Sequence, residues 1–86
     1  MRTSKIEVPS NTDIRLKANA AIRANVYDTN EGFIDYYTVT NGDRTINTGN
    51  NIKYIMFSNE GLITTLVTYM EVINTSNNAT LFKYQD

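Results

Sequence analysis

Any chemistry in this chain must be done without histidine or cysteine, since neither occurs among its 86 residues. The commonest general base, the commonest metal ligand and the thiolate nucleophile are therefore all missing. A hydrolase would need paired carboxylates or a Ser–Lys arrangement instead. The nine acids are Glu7, Asp13, Asp28, Glu31, Asp35, Asp43, Glu60, Glu71 and Asp86. They are scattered, and most fall in turn-forming stretches, where turn chemistry and solubility account for them. Ser4, Ser10, Ser58 and Ser76 sit in no nucleophile motif. The expectation is a protein that is not an enzyme and carries no cofactor.

Metal binding has one weak candidate. Asp28-Thr29-Asn30-Glu31-Gly32 begins like a calcium loop. Its glycine comes one place early, and Val39 stands where the closing glutamate belongs. A plain turn is the better reading. Asn74-Thr75-Ser76 and Asn78-Ala79-Thr80 match the glycosylation pattern, but a chain with twelve Asn and twelve Thr produces such matches by chance.

The basic residues carry more information than the net charge of −1. Arg2, Lys5, Arg15, Lys17 and Arg23 face only Glu7 and Asp13 within the first 27 residues, while the remainder is acidic. Arg15, Lys17 and Arg23 share one parity of an alternating segment, with Tyr27 on the same parity. With Tyr36 and Tyr37 nearby, a curved cationic strand would resemble the surface of an OB-like single-strand nucleic-acid binder. Three cations neutralise few phosphates, so such binding would be weak and nucleic acid is not the expected partner. The complementary halves suit protein contacts better, within one fold or between copies. Tyrosines offer large contact area at low entropic cost. The candidate interface is therefore Arg2, Lys5, Ile6, Val8, Arg15, Lys17, Arg23, Tyr36 and Tyr37.

Those residues must be positioned by strands. The alternation of Ile14, Leu16, Ala18, Ala20, Ile22, Ala24 and Val26 with polar residues has period 2, broken only by Ala21. A helix from Asp13 capped by Thr12 is the minority reading. As one straight strand at roughly 3.3 Å per residue, the segment would be about 46 Å long, too long for so small a domain. It must bend or break, and Asn19-Ala20-Ala21 is the place. Residues 4–8 alternate briefly and end at Pro9, which cannot donate to a ladder, so they form an arm or edge strand. Further strands are expected at 33–40, 44–47, 52–57 and 79–84, with Asn41-Gly42 as a hairpin turn. Residues 62–73 are ambiguous. Leu62, Leu66, Met70 and Ile73 fit a helix face that Ser58 could cap, but Ile63, Thr64, Thr65, Val67 and Thr68 favour a strand.

The fold class expected is all-β: a small single-domain sandwich or barrel over residues 1–86, with six or seven short strands and an N-terminal arm strand at 1–8. The alternative is α+β with one helix at 62–73. No apolar run approaches the ~20 residues of a membrane span, and the N-terminus has no apolar signal region. The function expected by elimination is a structural or assembly protein, a small virus or phage particle subunit found in the virion or cytoplasm, acting as a homo-oligomer. The alternatives are a small inhibitor of one host protein and, third, the weak nucleic-acid binder.

Overall fold

In a computed structural model the chain is described for residues 2–40, 42–59 and 66–86. Eight strands follow one another: β1 (Ile6–Glu7), β2 (Asp13–Ala18), β3 (Ile22–Tyr27), β4 (Phe33–Val39), β5 (Asp43–Asn47), β6 (Tyr54–Ser58), β7 (Tyr69–Asn74) and β8 (Ala79–Gln85). They form two antiparallel sheets, a first ordered β1-β6-β3-β4 and a second ordered β5-β2-β7-β8. Both sheets contribute to one core, in which Ile14, Leu16, Ile22, Val26, Ile55, Phe57, Met70 and Val72 are fully buried. The protein is all-β, in keeping with a small sandwich. No helix among the described residues is long and apolar enough to cross a membrane.

The alternating run breaks at the expected place. β2 ends at Ala18 and β3 begins at Ile22 in the other sheet. The break explains why a run with a straight length of about 46 Å fits a molecule whose longest dimension is 33 Å. Ala18 and Ala20 are buried at the corner, where small side chains let the chain turn inward without crowding the core. Asn19 holds the corner to the start of β7. Its Nδ2 donates to Leu66 C=O, and its Oδ1 accepts from the Thr68 and Tyr69 N–H groups. This division also brings the count to eight strands rather than six or seven.

Three expectations need correction. Asn41-Gly42 does not join a hairpin: β4 lies in the first sheet and β5 pairs with β2 in the second. Gly42 takes φ +99° and its carbonyl accepts from Ala18 N–H. Asn41 itself lies outside the described residues. The turn signal was read for reversal alone, whereas the partner was decided by side chains. On β2, Ile14 sits opposite Ile46 inside, while Asp13 and Arg15 find Asn47 and Asp43 outside.

The helix alternative over 62–73 fails where it can be read. Tyr69–Asn74 is strand, and residues 62–65 lie outside the described residues. Met70 and Val72 point into the core while Glu71 and Ile73 point away, the strand period rather than the helix one.

The third correction concerns the arm, an edge strand as expected but with Ile6 and Val8 in the core and not at an interface. It pairs with β6 of its own sheet, Ile6 opposite Ile55 and Glu7 opposite Tyr54. Thr3 N–H donates to Phe57 C=O and Val8 N–H to Lys53 C=O. Ile6 and Val8 are buried in the core, Val8 at 1% exposure. Ladder bonds and two buried side chains together offset the cost of ordering the segment.

Candidate docking surface

The two outer faces of the sandwich differ in chemistry. On the second sheet, charges are interleaved and satisfy one another. Arg15 pairs with Asp43, which sits diagonally across the β2–β5 ladder. Tyr69 Oη donates to Glu71, which also accepts from Thr80 Oγ1. The hydrogen bond from Tyr69 holds the Glu71 carboxyl below its usual range, with help from Thr80 and the charges of Lys17 and Lys83. The same bond raises the Tyr69 phenol. The Asp43 hydrogen bond likewise raises the Arg15 guanidinium.

The outer face of the first sheet is aromatic, with cations lying on the rings. Lys5 Nζ sits 4.8 Å from the Tyr27 ring and also pairs with Glu31 at 3.3 Å. Tyr27 meets Phe33 edge-on, with centroids 6.0 Å apart. The Arg23 guanidinium lies 4.1 Å from the Tyr36 ring. Among the described residues Arg23 pairs with no carboxylate, and its Nε is buried without a hydrogen-bond partner. Beneath it, Asn25 Nδ2 bridges Met56 C=O and Ser58 Oγ, tying β3 to β6.

The strand β4 at the edge of this sheet carries three of the large apolar side chains exposed among the described residues, with Leu66 standing apart ahead of β7. Phe33, Ile34 and Tyr36 are 61%, 40% and 46% exposed. Ile34 is the extra residue of a bulge, since Tyr27 pairs with Phe33 and Val26 with Asp35. A bulge leaves its extra residue unpaired and re-aims the side chain. The free edge of β4 is also capped from within. Asp35 Oδ1 accepts from Tyr36 N–H, and Arg44 Nη1 donates to Thr38 C=O. Groups that another strand would recruit are thus partly occupied, a device that discourages edge-to-edge pairing.

The expected interface residues are not one surface. Arg23 and Tyr36 meet on the outer face of the first sheet, Lys5 shares that face but lies on Tyr27, and exposed Arg2 is bridged to Ser58 on the same sheet. Ile6 and Val8 are core residues and are not available to a partner. Arg15 and Lys17 lie on the opposite face of the sandwich from Arg23, because β2 and β3 belong to different sheets. This split removes the continuous cationic strand on which a nucleic-acid reading rested. Tyr37 packs against the core side, with Arg44 5.0 Å from its ring. Phe33 and Ile34 were not singled out from the sequence. The signal available was two consecutive apolar residues after a turn, which alternation alone cannot place on one face.

The turn at 28–32 holds itself. Asp28 Oδ1 accepts from the N–H groups of Asn30 and Gly32, and Glu31 takes φ +62°. A Cβ on Gly32 would come 3.1 Å from the Asp28 carboxylate, so the glycine is fitted to that cap. No three groups of metal-ligating type cluster among the described residues. No family model, no curated protein and no solved structure matches the chain.

Proposed function

We propose that the protein is a non-enzymatic assembly protein whose copies associate through the outer ridge of β4. One observation carries this reading: Phe33, Ile34 and Tyr36 stand exposed side by side on a single strand. Covering a side chain of this kind is worth about 1.5–3 kcal/mol, so a ridge of three is a ready source of association energy. Tyrosine and arginine, here Tyr36 under Arg23, are the residue types enriched where interfaces are most tightly held. The capped edge directs a partner onto the face rather than alongside the strand. A net charge of −1 sets up little repulsion between copies. The setting we assign is a virus or phage particle, in the virion or the cytoplasm. That assignment rests on the Asn- and Thr-rich composition and the compact strand architecture.

Size-exclusion chromatography with light scattering tests the reading. The wild-type protein is expected to run as an oligomer. A variant with Ile34→Ser and Tyr36→Ser is expected to run as a monomer with nearly unchanged thermal stability. A wild-type monomer at every concentration would overturn self-association and favour an inhibitor or accessory protein that binds one other protein. Oligomers unaffected by the double substitution would place the contact elsewhere.

A further inference from the structure

Most of the asparagines described in this chain have structural work. Asn19, Asn25, Asn47, Asn74 and Asn77 bond through their side chains to turn or strand groups. Asn11 and Asn78 hold positive φ. Asn30, Asn50 and Asn51 differ, because their side-chain amides make no hydrogen bond among the described residues. They come together around a concavity of about 400 Å³, lined also by Asp28, Thr29 and Ile34.

The walls are built before any ligand arrives. One is the β3–β4 turn, closed by Asp28 N–H to Gly32 C=O and Glu31 N–H to Asp28 C=O. The other is the β5–β6 connection, held by Ile52 N–H to Thr48 C=O. Lys53 N–H donates to Tyr27 C=O at 2.8 Å and ties the two together. Small-molecule sites of roughly 300–1,000 Å³ are usually lined mostly by apolar groups, whereas this open concavity is lined mostly by polar ones.

The lining selects among ligands. No Lys or Arg contributes to it, so a phosphate or sulfate finds no counter-charge. Its single carboxylate already accepts two N–H groups on Oδ1, so the lining offers little negative charge to a divalent cation. Three amides and a hydroxyl instead offer donors and acceptors side by side. That pattern answers vicinal hydroxyl groups, each both donor and acceptor. Ile34 lines the hollow, and Phe33, its neighbour in the chain, is exposed beside Tyr27. Of the two, Ile34 supplies the hollow with apolar surface for the C–H face of a ring.

We propose that this concavity binds a neutral sugar residue, its hydroxyls held by Thr29, Asn30, Asn50 and Asn51 and the free oxygen of Asp28. The site adjoins the β4 ridge and shares Ile34 with it, whereas Asn50 and Asn51 lie on the β5–β6 connection, so substitutions there read sugar binding apart from self-association. Amide-resolved NMR titrations test it, with D-glucose, D-galactose, D-mannose and N-acetylglucosamine as probes, and inorganic phosphate, calcium and a short neutral peptide as controls. At least one sugar is expected to give saturable shifts at Thr29, Asn30, Asn50 and Asn51, with millimolar affinity. Asn50→Ala and Asn51→Ala are each expected to weaken it about tenfold, the worth of one well-placed polar contact. Wild-type spectra alone can overturn the proposal. It fails if no sugar gives saturable shifts there, or if only phosphate, calcium or the peptide does. Shifts that persist unchanged in a folded Asn50→Ala, Asn51→Ala double variant also contradict it.

Discussion

Lys17 and Arg23 belong to one alternating run, yet they stand on opposite faces of the sandwich. The corner at 19–21 carries the chain from the second sheet to the first. Residues of the inward parity, Leu16 and Ile22 among them, still meet in one core, because the inside is common to both sheets. Residues of the outward parity are divided between two surfaces that never meet. Period-2 patterning therefore specifies burial across such a corner but does not specify a shared exterior.

The first prediction follows directly. Leu16→Ala and Ile22→Ala are each expected to cost about 2–5 kcal/mol, as truncations of fully buried side chains. Denaturant unfolding measures both. Lys17→Asp and Arg23→Asp should differ from each other in a separate way. Only the second removes a cation from the ring of Tyr36, so only the second should alter association.

Asn19 gives a second. Its side chain makes three hydrogen bonds to the segment leading into β7. Asn19→Ala is expected to cost about 1.5–4.5 kcal/mol at roughly 0.5–1.5 per bond. Asn19→Asp keeps the two acceptor bonds and loses the donor to Leu66, so it should cost less. Equal losses in denaturant unfolding would show that the corner is held by packing alone.

The strand character, the break at 19–21 and the alternating core were legible in the sequence because each rests on local periodicity. Partners were not. Asn41-Gly42 marks a reversal, but whether β5 returns beside β4 or crosses to β2 depends on Ile46 and Asp43 finding Ile14 and Arg15. The burial of Ile6 and Val8 was not legible either, because ladder bonds to β6 and contacts with the core are long-range gains that eight residues do not display. Within the candidate surface, Arg23 and Tyr36 were legible as a cation and an aromatic. Phe33 and Ile34 were not, since a bulge sets their directions.

The arm supplies a third prediction. Deleting residues 1–8 should leave the domain unfolded or strongly destabilised, with Val8→Ala alone lowering the thermal midpoint. Circular dichroism and thermal unfolding read this. A truncated protein as stable as the full chain would contradict the placement of Ile6 and Val8 in the core.

Thr48 gives a fourth. It is 1% exposed, accepts from Thr12 N–H and donates to Pro9 C=O. Thr48→Val keeps the shape but strands both backbone groups, at an expected cost of about 1–3 kcal/mol. A neutral effect in denaturant unfolding would mean that water replaces the hydroxyl.

The Tyr69–Glu71 contact gives a pH dependence with a definite sign. Glu71 is lowered, so its contribution is present above the ordinary carboxylate range and lost as acid titrates the folded group. Tyr69 is raised, so its contribution is present below the ordinary phenol range and lost as alkali titrates it. Both groups are at the surface, so the effect should be small. Glu71→Gln should flatten the acid limb of a stability–pH curve. An unchanged acid limb would show that the contact does not contribute.

Association through the β4 ridge is tested most directly by amide NMR spectra collected over a rising series of protein concentrations. Concentration-dependent shifts and broadening should appear at Arg23, Phe33, Ile34 and Tyr36, while Arg15, Lys17 and Glu71 on the opposite face stay unchanged. Spectra that are concentration-independent throughout, or that change on the second sheet alone, would contradict it.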